Sequence, residues 1–164
     1  MVMVAQSNTT KAKLQRTAIS STALEYVLTA TLEVQTSGQG FTEFTHEAVR
    51  FVNESEARDG VLMLFLRHTS ASLAIQENAD GNVQADLLMA LDRMAPEEAG
   101  WSHSTEGPDD MPAHVKAMVC GISLHVPVIG GRLALGTWQG IYLIEHRRQP
   151  HRREVVLQFI GNRR

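Results

Sequence analysis

A lone cysteine, Cys120, among 164 residues leaves no partner for an internal disulfide. No apolar run approaches the roughly 20 residues that a membrane-spanning helix requires, and the amino terminus carries no signal-peptide pattern. A reducing cytoplasm is therefore the expected compartment, and no membrane partner is expected. A surplus of positive charge is missing as well. The net charge is −3 and the pI about 6.1, which argues against a dedicated nucleic-acid binder. Neither a glycine-rich phosphate loop nor a Ser-His-Asp spacing is present to fix a reaction type. No internal repeat is visible. What remains is an ordinary soluble composition, 43% hydrophobic and 20% charged, in a chain long enough for one domain with a sizeable core.

The charge is unevenly spread. Seven arginines between Arg132 and Arg164 face only Glu145 and Glu154, so that segment is +5 and the first 131 residues are −8. A solvated basic end accounts for this, and so does a set of guanidinium forks matched to phosphate oxygens.

Residues 1–22, rich in Ser, Thr, Gln and Lys, read as a flexible extension, and residues 23–164 as the domain. Alternation from Leu24 to Val34 predicts a half-buried strand. Thr42 or Thr45 is placed to cap a helix whose Phe44, Ala48, Phe51 and Val52 share a face. The run Val61–Leu66 reads as a strand covered on both sides, and Ser72–Ile75 as a short second one. Gly81 and Asn82 open a helix that buries Val83, Leu87, Ala90, Leu91 and Met94 and stops before Pro96. Residues 99–111 read as an irregular loop, and Pro112 fits the first turn of a helix that Gly121 ends. Strands follow around Leu124–Val128, Leu133–Leu135, Trp138–Ile144 and Val155–Ile160. About seven strands and three helices in no βαβ order imply an α+β single domain with a mostly antiparallel, barrel-like sheet.

Polar residues concentrate in two stretches. In the first, His68 is in phase with Leu62, Leu64 and Leu66, so its ring leaves a buried strand at its mouth. Glu77, Asn78 and Asp80 follow, and Asp86 falls on the edge of the apolar face of the next helix, where a carboxylate asks for a partner. In the second, His103, Glu106, Asp109, Asp110, His114 and Lys116 lie within fourteen residues spanning a loop and a helix start. Imidazole and carboxylate are ligands for zinc and similar ions; Asp109 and Asp110 also suit the positive end of a helix. His114 and Lys116 are about 200° apart around a helix and point to different places. Further on, Gly136 and Gly140 flank Trp138 and Gln139 and permit close approach of a backbone or ligand. Trp138 reads first as a buried packing aromatic.

The strings HTSASLAIQENAD, HSTEGPDDMPAHVK and GISLHVPVIGGRLALGTWQGIYLIEHR, followed by a basic strand, occur here in the order found in the YjbQ family. Over about residues 24–162 the chain resembles that family, which is known as secondary thiamine-phosphate synthase. Gln76 and Gly130 stand where asparagine is usual, and the first twenty-odd residues are extra. The resemblance implies a compact subunit, a homotrimer, and a polar cleft near a subunit boundary that holds a metal or an anion. The matched positions are His68, Glu77, Asn78, Asp86, His103, Asp109, Asp110, His114, Lys116, Arg132, Trp138 and Gln139.

On that footing the expected reaction is a metal-dependent transfer that joins an aminopyrimidine diphosphate to a thiazole phosphate. A divalent ion, zinc or magnesium, would be held by His68, His103 and His114. Glu77, Asp86, Asp109 and Asp110 would serve the chemistry. Asn78, Lys116, Arg132, Trp138 and Gln139 would bind a small phosphorylated ligand. The alternatives are metal-assisted hydrolysis, with Glu77 or Asp86 as base, and a non-catalytic trimeric protein that binds a metal or an anion.

Overall fold

The computed structural model describes residues 16–164; residues 1–15, most of the expected flexible extension, lie outside them. Period-two sequence builds β1 (Tyr26–Gln35), which turns Leu28, Leu32 and Val34 inward. β1 pairs antiparallel with β8 (Arg152–Arg163), β8 with β3 (Ala57–Leu66), β3 with β5 (Ser123–Ile129), and β5 with the two-residue β6 (Arg132–Leu133). A second sheet places β7 (Gln139–Glu145) between β2 (Gly40–Glu43) and β4 (Ala71–Glu77), again antiparallel. Four-residue β2 is the strand that the sequence pattern did not announce. Together the sheets curl into a half-barrel around one core. Leu62, Leu64 and Leu66 of β3 and Val155, Leu157 and Phe159 of β8 meet Leu73, Ile141 and Leu143 of the second sheet there.

Val61–Leu66 is covered on one face only. Leu62, Leu64 and Leu66 are fully buried, whereas Phe65 is 41% exposed. The register sets Val27, Ile160, Val61 and Pro127 side by side across four strands on the outward face. The expectation of cover on both sides is not met within one chain.

Three helices complete the domain. α1 (Thr45–Glu54) buries Ala48 and Val52 against the sheets. Neither threonine caps it: Phe44 is the N-cap residue, and Thr45 Oγ1 accepts the Ile141 amide at 2.8 Å, pinning the helix to β7. α2 (Gly81–Met94) begins and ends where its Asp80 cap and Pro96 direct, the Asp80 carboxylate accepting the Asn82 amide at 2.9 Å. It buries none of its residues, however, and is tethered by polar contacts, Gln84 to the Tyr142 hydroxyl and Asp92 to Gln39 and Lys116. α3 (Asp110–Cys120) starts two residues before Pro112, stops at Gly121 with φ 89°, and packs on β4. None of the described helices is long and apolar enough to cross a membrane.

Candidate functional site

The first turns of α3 bring one carboxylate and two imidazoles together. Asp110 and His114 are four residues apart, so they share a helix face, and the irregular segment before α3 folds His103 back onto them. Asp110 Oδ2 is 2.8 Å from His103 Nε2 and 3.4 Å from His114 Nε2, and the imidazole centroids are 5.6 Å apart. Ligand atoms of the three residues all lie within 4.8 Å of one another. Asp110 is only 1% exposed, a costly place for a carboxylate without cations around it.

Arg147, just beyond β7, provides one such cation. Its Nη1 bonds Asp110 Oδ1, its Nε meets Asp109 Oδ2 at 3.1 Å, and its Nη2 donates to the Glu106 carbonyl at 2.7 Å. Asp109 therefore does not cap α3 with its side chain; it accepts from Arg147 and from the Arg148 amide at 2.8 Å. Burial pulls the Asp109 pKa up, but those donors more than offset it and hold the carboxyl below its usual range.

The second imidazole is oriented from behind. His114 Nδ1 lies 3.0 Å from the Thr69 carbonyl, an acceptor only, so this nitrogen carries a proton. In the neutral ring the lone pair is then on Nε2, the atom facing Asp110. Two lone-pair atoms at 3.4 Å call for a cation between them, a proton or a metal ion. A histidine tied through its other nitrogen to a backbone carbonyl is the arrangement of metal-ligating imidazoles. The donor set fits a divalent ion. Two nitrogens and one carboxylate oxygen match zinc-type chemistry better than magnesium, which prefers oxygen throughout.

The other residues singled out in the sequence lie elsewhere. His68 is outside the trio: its Nε2 accepts the Glu154 amide at 2.9 Å and its Nδ1 faces Arg153 at 3.5 Å, so the residue grouped with His103 and His114 is Asp110 instead. Lys116, on the opposite side of α3 from His114 as the helical angle requires, is buried with its Nζ 2.6 Å from Asp92. It lines a separate cleft of about 190 Å³ with Asp109, His146 and Arg148. Glu77, Asn78, Trp138 and Gln139 gather at the far end of β4 and β7, roughly 20 Å from Ala71 at the rise of a strand. There the Asn78 amide donates to the Trp138 carbonyl at 3.1 Å, and Gln139 Oε1 accepts the Gly136 amide, closing its own turn. A Cβ at Gly140 would come within 2.9 Å of Glu43 and Tyr142, so the close approach anticipated there is made by neighbouring side chains. Trp138 is 64% exposed, not buried. Asp86 is solvent-exposed on α2 because that helix buries no face, and Arg132 is exposed in the β5–β6 hairpin.

Besides Arg147, three residues were not singled out from the sequence: Glu145, His146 and Arg153. Glu145, fully buried, accepts from Arg153 through both oxygens (2.6 and 2.7 Å), from Thr36 and from the Arg147 amide. Burial raises its pKa, and Arg153 leads the donors that bring it below the usual value. His146, 2% exposed, meets Ser72 Oγ at 2.5 Å, while its Nδ1 has no hydrogen-bond partner among the described residues. Burial, then Lys116, pushes its pKa down to about 4. One signal was available: Arg153 is in phase with Val155, Leu157 and Phe159, a charged residue on the buried face of a strand.

Beside the trio, His68, Thr69, His114, Ala117, Met118 and Ile122 line a mostly apolar cleft of about 340 Å³.

The profile of the family described as "UPF0047 protein YjbQ-like" matches residues 30–162. The UPF0047 protein sll1880 of Synechocystis is 45% identical over 131 residues, 79% of this chain and 89% of that protein. The UPF0047 protein YjbQ of Escherichia coli O157:H7 is 39% identical over 132 residues, 80% of this chain and 96% of its own length. The crystal structure of an uncharacterized conserved protein of the yjbq/upf0047 family from Clostridium acetobutylicum is similar with a TM-score of 0.75 at 36% identity, covering 79% of this chain and 98% of that one.

Proposed function

The chain belongs to the UPF0047 YjbQ-like family, and from that premise we propose that it is a metal-dependent enzyme of hydrolytic type, acting on a small molecule held in the cleft beside His114. The observation that carries the reading is Asp110, a buried carboxylate with one oxygen on Arg147 and the other shared by two imidazoles. His103, Asp110 and His114 hold the ion, which is zinc-type by its donor set. When bound, such an ion supplies Lewis acidity toward a substrate oxygen or a water. Arg147 pairs with Asp110 and aims it, and the Thr69 carbonyl keeps His114 in the tautomer that offers Nε2. His103, with a side chain 45% exposed, leaves the site open toward solvent.

Elemental analysis tests this. The purified protein should carry about one equivalent of zinc, and His103→Ala or His114→Ala should lose it while keeping the wild-type circular dichroism. A full metal complement in both variants sinks the assignment.

Transfer of an aminopyrimidine to a thiazole phosphate is the second reading. It asks for cations on a leaving diphosphate, and the nearby cleft lined by Asp109, Lys116 and Arg148 favours it, although Arg132 stands apart on the β5–β6 hairpin. Assays of phosphate release and of thiamine-phosphate formation, on zinc- and magnesium-loaded protein, separate the two. A metal-bound protein without turnover in either is the binding-protein alternative. A homotrimer also belongs to this proposal. It is supported by the apolar outward row Val27–Ile160–Val61–Pro127 and by a helix α2 that buries nothing in the single chain. So does a cytoplasmic setting, in which the Cys120 thiol stays reduced.

A further inference from the structure

His68 and Arg153 pose a hydrogen-bonding conflict that a ligand resolves. The Glu154 amide donates to His68 Nε2 at 2.9 Å, and an amide nitrogen can only donate. Nε2 therefore carries the lone pair, and in the neutral ring Nδ1 carries the proton. Burial, then the charge of Arg153, lowers the His68 pKa, in keeping with a neutral ring. The group facing Nδ1, 3.5 Å away, is Arg153 Nη1, another donor.

Arg153 is 4% exposed, and its other two nitrogens are engaged. Nε and Nη2 grip Glu145, and Nη2 also donates to Ser70 Oγ at 3.1 Å. Among the described residues Nη1 has no acceptor except the His68 nitrogen, which cannot accept. Two donors thus converge with no oxygen between them.

We propose that His68 Nδ1 and Arg153 Nη1 form a subsite for one carboxylate oxygen of a small molecule with an apolar body. Among anions, charge balance favours a carboxylate over a phosphate. Arg153 is already neutralised by buried Glu145, so the pair offers directed donors without a surplus charge, which suits a monoanion better than a phosphate dianion. The walls select the body: His68 lines the cleft of about 340 Å³ whose other faces include Ala117, Met118 and Ile122, while Arg153 lies behind the imidazole, its Nη1 3.5 Å from Nδ1, so the bound oxygen would enter along the His68 ring. The tripeptide His68-Thr69-Ser70 sets the subsite beside the candidate metal trio, because Thr69 is the residue that holds His114. The inference rests on the metal reading only for what lies next to the bound molecule; the donors belong to the chain itself.

The test uses benzoate as the probe and full-length protein stripped of metal with a chelator. Nitrogen-15 spectra of the histidine rings should show His68 protonated on Nδ1, and benzoate should shift that resonance saturably. His68→Phe removes one donor, and Arg153→Lys removes the other while leaving a cation for Glu145. Each should weaken benzoate binding roughly ten- to a hundredfold, and inorganic phosphate at pH 8 should bind at least roughly tenfold more weakly than benzoate. Zinc content of His68→Phe should match the wild type. A wild type that binds no zinc fails the metal reading and leaves the subsite standing. A ring protonated on Nε2, no saturable benzoate binding, or equal binding by His68→Phe overturns the subsite. Phosphate binding as tight as benzoate, with the same sensitivity to His68→Phe, overturns the choice of a carboxylate. Should Arg153→Lys fail to fold, the His68→Phe titration and the ring spectra decide alone.

Discussion

Asp110 needs its negative charge for any cation shared with His103 and His114, and it sits where burial opposes that charge. Arg147 reconciles the two by bonding the oxygen that faces away from the imidazoles. Losing such a supporting contact commonly weakens metal affinity about ten- to a hundredfold. Arg147→Gln should do so in a chelator-competition titration, with zinc stoichiometry retained at saturation; unchanged affinity would remove Arg147 from the site. His146 gives a pH prediction. Its folded pKa is about 4 against an ordinary 6.5, so between these values the unfolded chain binds the extra proton and stability falls as pH falls. At 1.36 kcal/mol per unit the loss over that window is about 3 kcal/mol. Denaturation at a series of pH values should show that slope in wild type and lack it in His146→Gln. The imidazoles and Asp110 were legible in sequence because they crowd one short stretch, Asp110 and His114 at helical spacing and His103 in the loop before them. Arg147 and Glu145 were not, since they reach Asp110 and Arg153 only after the second sheet has formed.

Among the elements, those with their own punctuation were readable. α2 opens at Gly81 and Asn82 and ends before Pro96, and α3 holds Pro112 in its first turn and ends at Gly121, as local chemistry dictates, whatever packs on them. What α2 covers is a tertiary matter, so its apolar periodicity promised a buried face that the single chain does not provide, and Asp86 was misplaced with it. Strand β2 is too short to show a period. The irregularity of β3 between Ala57 and Gly60 was equally silent. There two glycines of adjacent strands touch: a Cβ on Gly60 would overlap the Ile160 carbonyl and lie 2.7 Å from Gly161 Cα. Gly60→Ala should therefore cost about 1–3 kcal/mol, the range for overpacking. Gly81→Ala, with nothing within 4 Å of the added carbon, should be neutral or stabilise by about 0.4–1 kcal/mol. Thermal melts of the two variants check the contrast; equal Tm values would contradict it.

At the scale of the molecule, antiparallel architecture followed from strands in no βαβ order, and the half-barrel bears that out. The division of polar residues between two ends did not follow. Sequence shows which residues are chemically able, whereas β4 and β7 decide that Glu77 and Gln139 lie a strand's length from the Thr69 end. The outward apolar row predicts self-association. Sedimentation at micromolar concentration should give about 54 kDa, three copies of the 18.1 kDa chain. A lysine at Val61 should shift that mass toward monomer, and a stable wild-type monomer would refute the trimer.

The Glu145–Arg153 pair joins the central strand of one sheet to an interior strand of the other. Pulling the sheets apart at that end leaves a charge stranded away from water, so the structure has no inexpensive way to breathe there. Amide hydrogens of Ile144, Glu145, Val155 and Leu157 should exchange with deuterium only through global unfolding, while α2 exchanges by local opening. Molecules that bind in the cleft beside Met118 should therefore arrive from solvent without a parting of the sheets, at a rate insensitive to denaturant below the unfolding transition.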